Sequence, residues 1–164
     1  MKVGVISDSH DNVPAVNAAV DILNREKVDA VIHCGDFVAP FSLLPFRNLE
    51  CGLFYAVFGN NDGEKTGLMK VASDNGWQLS QGPFEFELGG RKVAVMHEPF
   101  HLNDVLTRNP DIALFGHTHR YESRREAGTL LLNPGESGGW LTGRQTCAIL
   151  DTGLLEARVI EING

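Results

Sequence analysis

Five apolar runs in this sequence each stop at side chains able to bind a metal ion. Asp8 and His10 follow Val3–Ser7, Asp36 follows Ala30–His33, and Asn60 follows Leu53–Phe58. His97 follows Lys92–Met96, and His117 with His119 follows Ile112–Phe115. The donors are carboxylates, imidazoles and one amide oxygen, with no thiolate. That chemistry suits Mn, Fe, Ni, Co or Zn, differs from Cys-rich structural zinc, and is too rich in nitrogen for calcium. In α/β folds, ligands bind beyond the carboxyl ends of strands, so five strand ends can serve one cleft. Asp8-x-His10 and His117-x-His119 each aim two groups one way if extended geometry continues past the strand. Glycine precedes Asp36, Asn60 and His117, permitting tight turns and close approach at a crowded centre.

Each cluster alone also has a plainer reading. Asp8 can cap a helix and His10 can sit on the surface; Asp36 and Asn60 can be turn residues. His97 can be a hydrogen-bonded, half-buried histidine, and Gly116–His119 a polar turn. Recurrence at five strand ends is what favours ligands. Of the remaining polar residues, His33 is read as structural support, His101 as a surface side chain and Asn12 as a helix cap. Asp62 either orients a ligand or caps the helix that follows.

The elements that must position these groups change character along the chain. The first half alternates strands with helical patterns: Val13–Glu26, where Val16, Val20 and Leu23 form one apolar face, then Phe41–Asn48 and Glu64–Asn75. Asn12 and Pro14 suit the start of the first helix. The second half begins with Phe84–Leu88, which alternates with period two, and Gly89-Gly90 joins it to Lys92–Met96 as a hairpin. A helical turn is expected over Leu102–Arg108. Tyr121–Arg125, Thr129–Leu132, Thr146–Leu150 and Leu155–Ile162 read as antiparallel strands. βα units followed by a meander predict an α/β domain over residues 1–164 with two packed sheets flanked by helices.

Composition narrows the partners. A formal charge of −7 argues against strong nucleic-acid binding, which needs a basic footprint, but leaves a small phosphoester open because bound cations supply local positive charge. The three cysteines, Cys34, Cys51 and Cys147, are too few and too unpaired for a disulfide framework. The N-terminus reaches Asp8 with no room for a signal-peptide core, and no apolar run approaches a membrane span. A soluble cytoplasmic protein is expected, with self-association left open.

Taken in order, Asp8-x-His10, Gly35-Asp36, Gly59-Asn60, His97 and Gly116-His117-x-His119 resemble the calcineurin-like metallophosphoesterase superfamily, and its small prokaryotic phosphodiesterases in particular. The resemblance runs from Asp8 to the Asn133-Pro134-Gly135 turn. It implies a four-layer αββα sandwich of two face-to-face β-sheets with helices outside. It also implies a first metal held by Asp8, His10 and His119, a second held by Asn60, His97 and His117, and Asp36 as the bridge. Two divalent ions, Mn²⁺ or a similar ion, bring four positive charges against three negative ones from Asp8, Asp36 and a hydroxide, so the centre attracts phosphate. Asp36, Asn60 and His97 then sit at the reacting atoms of a phosphodiesterase that uses a two-metal-activated hydroxide.

The sequence departs from the superfamily pattern at three positions. Asn61 stands where many larger members have a histidine that protonates the leaving group, and an amide cannot do so at neutral pH. Glu98 follows His97 in place of the usual Gly, at what would be the cleft rim. Glu136 follows Asn-Pro-Gly in place of the usual Ser. The rival readings are a phosphomonoesterase or nucleotidase, and a non-catalytic metal-binding scaffold like the retromer subunit that shares the fold but has lost catalytic histidine.

Overall fold

Strand alternation sorts the apolar residues into three separate cores. The computed structural model describes residues 1–163. The strands of the first half are β1 (Lys2–Ile6), β2 (Ala30–His33), β3 (Leu53–Val57) and β4 (Gln78–Ser80). They are followed by β5 (Phe84–Leu88), β6 (Arg91–Val95), β7 (Ile112–Leu114), β8 (Tyr121–Glu126), β9 (Thr129–Pro134), β10 (Thr146–Asp151) and β11 (Glu156–Glu161). The α-helices are α1 (Val13–Arg25), α2 (Lys65–Asp74) and α3 (Leu102–Leu106). The strands form a six-stranded sheet ordered β11-β10-β1-β2-β3-β4 and a five-stranded sheet ordered β5-β6-β7-β9-β8.

The two sheets face one another across the central core. Val3, Val5 and Ile32 enter it from one sheet; Val95, Leu114 and Leu132 enter it from the other. Alternate residues of the same strands point outward. Ile6, Val31 and Phe54 pack against Val16, Val20 and Leu23 of α1. Ala94, Met96 and Phe115 pack against Val105 of α3. Helices, two sheets and a further helix therefore make the four-layer sandwich that the motifs imply.

Helix α1 sets the direction in which the chain leaves β1. Asn12 caps it, its Oδ1 accepting from the Ala15 amide at 3.3 Å, with proline in the first turn. A Cβ on Gly4 would lie 2.5 Å from Leu23 Cδ2, so the helix rests directly on the β1 backbone. The tight β5–β6 hairpin forms as expected: Gly89 and Gly90 both take positive φ, at 60° and 74°.

Four expectations need correction. The stretch Phe41–Asn48 lies in a 3₁₀ helix, Pro40–Asn48, because Pro45 lacks the amide an α-helix needs at that point. The helix expected to Arg108 ends at Leu106 and is preceded by a separate 3₁₀ turn, Pro99–His101. Strand β4 was not foreseen; three residues at a sheet edge give no periodic signal. The late strands do not form one meander. β7 and β9 pair in parallel, and β10 crosses to the first sheet beside β1, antiparallel to it. Both faces of β10 are apolar: Cys147 and Ile149 join the helix-side core while Ala148 and Leu150 join the central one. Such a strand is stable only in the interior of a sheet covered on both sides.

Leu114 is fully buried in the central core. Leu114→Ala is expected to destabilise the fold by about 2–5 kcal/mol, measured by urea unfolding.

Candidate metal centre

The carboxyl ends of β1, β2, β3, β6 and β7 open onto one place, and the loops there bend unusually. Asp8, His10, Asp36, His117 and His119 all have left-handed backbones, with φ of 52°, 42°, 62°, 66° and 61°. Side-chain-bearing residues adopt that region at a cost of about 1–3 kcal/mol each, so neighbouring contacts must enforce it. The extended geometry expected beyond β1 and β7 is therefore incorrect. The two-residue motifs converge because each loop doubles back and is fastened to another strand. The Asp8 amide donates to Gly35 O at 3.0 Å and the His10 amide to Asp36 O at 3.1 Å. The Gly116 amide donates to His97 O at 3.0 Å, and the His117 amide to Asp8 Oδ2 at 3.1 Å.

The glycines before the polar clusters leave room for these crossings. A Cβ on Gly59 would collide with the Asp36 carboxylate and backbone. One on Gly116 would collide with Ser7 Oγ and lie 2.8 Å from Asp8 Oδ2. One on Gly35, whose φ is 103°, would lie 2.8 Å from both the Gly59 amide and His97 Nδ1.

All seven predicted side chains meet here. His119 Nε2 lies 3.3 Å and His10 Nε2 3.9 Å from Asp8 Oδ1. His97 Nε2 lies 3.3 Å and His10 Nε2 3.5 Å from Asp36 Oδ2. His97 Nε2 is also 4.0 Å from Asp8 Oδ1 and so joins the two groups. Asn60 Oδ1 sits between His97 Nε2 at 3.0 Å and His117 Nδ1 at 2.9 Å. Two sets, Asp8/His10/His119 and Asp8/Asp36/His97, each bring their donor atoms within 4.8 Å of one another. The first matches the trio implied for one metal; Asn60 and His117 adjoin the second.

The donor chemistry calls for cations. Asp8 is fully buried and Asp36 nearly so. Burial, which disfavours charge, raises the Asp8 carboxyl above the usual range despite the nearby His97, Ser7 and His119. Burial also works against charge on Asp36, but the hydrogen bond and charge of His97, with hydrogen bonds from Asn61, hold it well below that range. Asp8 Oδ1 and His10 Nε2 are the two buried side-chain polar atoms without a hydrogen-bond partner among the described residues. Buried polar atoms are normally satisfied, so two orphans facing the same point mark a place for a bound group.

The histidine tautomers agree with this. His97 Nδ1 donates to Cys34 O at 2.8 Å, which leaves Nε2 turned toward Asn60 Oδ1 and Asp36 Oδ2, both acceptors. Only a proton or a cation reconciles a nitrogen lone pair with two oxygens. Without a metal, the proton takes that place: burial opposes it, yet the hydrogen bond to Asp36 and the charges of Asp36 and Asp8 raise His97 to about 9.

Several surrounding groups support the seven. Asp62 accepts from the amides of Asp36 at 3.1 Å, Val38 at 2.7 Å and Gly59 at 2.7 Å. It orients the β2 and β3 loops and does not cap α2, whose N-cap position is Glu64. Asn61 donates to both Asp36 oxygens at 2.8 Å, from its amide and its side chain. His33 is fully buried, bonded to Ser9 Oγ at 3.2 Å and stacked on Phe37, a structural place as expected.

Glu136 is the support that sequence reasoning missed. It is fully buried and accepts His119 Nδ1 at 2.8 Å, the Leu141 amide at 3.1 Å and the Thr142 hydroxyl at 2.6 Å. Burial works against its charge, but those hydrogen bonds keep its carboxyl below the usual range. The carboxylate holds the His119 proton on Nδ1 and leaves Nε2 facing Asp8. The only signal available was an acidic residue in place of a small one. Glu98 and His101 make no hydrogen bond to any of the seven among the described residues.

Comparison with known proteins agrees with this geometry. The model of the calcineurin-like phosphoesterase superfamily domain matches residues 1–153. The chain belongs to that superfamily. It is 38% identical to the phosphodiesterase MJ0936 of Methanocaldococcus jannaschii over 98% of each chain. A solved archaeal phosphodiesterase superposes with a TM-score of 0.92 at 36% identity, covering 98% of this chain and 99% of that one. The Vps29 protein of Entamoeba histolytica, solved with zinc, superposes with a TM-score of 0.69 at 20% identity, covering 99% of this chain and all of that one. This last likeness concerns the fold.

Replacing Asp62 by Ala leaves three amides without their acceptor. Asp62→Ala is expected to cost about 2–5 kcal/mol in chemical unfolding and to reduce the divalent metal bound in metal analysis; Asp62→Asn should recover part of both.

Proposed function

We propose that this protein is a metal-dependent phosphodiesterase in which Asp8, His10 and His119 hold one divalent ion, Asn60, His97 and His117 hold a second, and Asp36 bridges them. The observation that carries the reading is the pair of orphaned buried atoms, Asp8 Oδ1 and His10 Nε2, inside a ring of imidazoles and carboxylates. The likeness to a phosphodiesterase across nearly the whole chain supports the choice of reaction. Oxygen and nitrogen donors without thiolate favour manganese or a similar ion.

Two ions bound there would lower the pKa of a shared water and neutralise the charge of a phosphoester. The chain's own contribution is position and protonation. Cys34 O and Glu136 fix the tautomers of His97 and His119, so both present Nε2 to the centre. Asn61 and Asp62 hold the Asp36 carboxylate and its loop. Asn61 occupies the place of a leaving-group acid yet is spent on Asp36 and cannot donate a proton at neutral pH. Esters whose leaving oxygen needs no proton, such as aryl diesters, are therefore the best substrates. The acidic composition fits a small phosphoester rather than a nucleic-acid polymer as substrate.

Hydrolysis of bis(4-nitrophenyl) phosphate should require added Mn²⁺ and stop with chelator. His97→Ala and Asp36→Asn should each lower kcat at least about a hundredfold and lose bound metal. Wild-type rates in both variants, with full metal content, would remove the ligand assignment. Across a series of diesters, kcat should fall steeply as the leaving group becomes more basic; a flat series would show that another group supplies the proton.

A further inference from the structure

Beside the candidate metal centre lies a cavity of about 290 Å³ lined by His10, Asn61, His119, Trp140 and Leu141. Two of its walls are large apolar side chains left open to solvent, Trp140 at 65% and Leu141 at 75% exposure. Isolated exposed apolar residues are ordinary on protein surfaces. These two are adjacent, share a cavity with two of the proposed metal-binding imidazoles, and are held in place from both sides. Trp140 Nε1 donates to His10 O at 3.1 Å, so the indole's polar atom is engaged and its ring is left for contact. Gly138 packs so closely that a Cβ there would lie 3.0 Å from Trp140 Cδ1 and 2.9 Å from Ser9 O. The Leu141 amide and the Thr142 hydroxyl are tied to the buried Glu136 carboxylate. The rim is thus built before any ligand arrives, and binding to it requires little ordering.

We infer that this cavity is a subsite for one planar, uncharged ring carried by the phosphoester, an aryl group or a nucleobase. The inference rests on the proposed phosphodiesterase reading and narrows its substrate class. Pockets for drug-sized ligands run roughly 300–1,000 Å³, so this one accommodates a single ring system. The indole is the wall open to stacking; His10 and His119 are stacked on each other, with ring centroids 5.2 Å apart and planes at 21°, and line the side nearest the metal centre. None of the lining side chains is acidic or carries the fixed charge of Lys or Arg. A ring stacked there would be attached to a phosphate centred on the metals, because His10 and His119 belong to both places.

The test uses non-cleavable anions that differ only by the ring. The affinities of phenylphosphonate and methylphosphonate for the manganese-loaded protein are measured by calorimetry. The ratio within one protein cancels any shared change at the metals. The wild type should prefer phenylphosphonate by about tenfold or more, with quenching of tryptophan fluorescence. Trp140→Ala should bring the ratio close to one, and Trp140→Phe should restore most of it. A nucleoside 5′-phosphonate in the same assay distinguishes the sources: tighter binding than phenylphosphonate identifies a nucleobase, weaker binding an aryl ester. Binding of both simple phosphonates with no ring preference, or an unchanged ratio in Trp140→Ala, would overturn the subsite while leaving the phosphodiesterase reading intact. Failure of both phosphonates to bind the metal-loaded protein would overturn the subsite and the phosphodiesterase reading together.

Discussion

Two carboxylates buried side by side govern the rest of this structure. Asp8 and Asp36 lie almost without solvent, joined through His97 and His10. Like charges in a poorly solvated place repel and cost several kcal/mol unless cations compensate them. Imidazoles supply part of the compensation, and their inner nitrogens converge on the same point. The left-handed loops, the glycine crossings and the amides collected by Asp62 all keep these charges together against that repulsion. An arrangement so costly without a partner persists where the partner is part of the function.

The support around the centre is unequal. On one side it is made of backbone: Cys34 O holds His97, and the β1 and β2 loops are laced by amide-to-carbonyl bonds. On the other side it is a side chain, Glu136, bound to His119 and to the Leu141–Thr142 segment. The same carboxylate therefore sets an imidazole tautomer and shapes the rim beyond it. A substitution at Glu136 reaches both, whereas one at Leu141 reaches only the rim.

Much of the site was readable from residue type alone, because strand ends announce themselves and donors clustered at five of them. Asp8, His10, Asp36, His97, His117 and His119 stood out by order and chemistry, whereas Asn60, which reads equally as a turn residue, depended mostly on the family resemblance. How they converge was not readable. Positive φ at Asp8 and His117 is imposed by hydrogen bonds from strands distant in sequence, which no local pattern encodes. Glu136 escaped for the same reason: its partners are defined by a loop closing over it. In the fold, β1, α1, β2 and β3 followed their periodicity, whereas Pro45 turned the next helix into a 3₁₀ helix and the short β4 gave no signal. The late strands misled because the apolar faces of β10 state that it is interior without stating to which sheet.

The position of β10 also has a consequence for biogenesis. β1 is paired on one side with β2, but its other edge stays open until residues 146–151 have been synthesised. The Gly138 amide that bonds Asp8 O belongs to the same late stretch. Nascent chains carry the first strand unsealed until this distant partner has emerged, and such long-range pairing is slow. A chain truncated before β10 would expose an adhesive strand edge at β1.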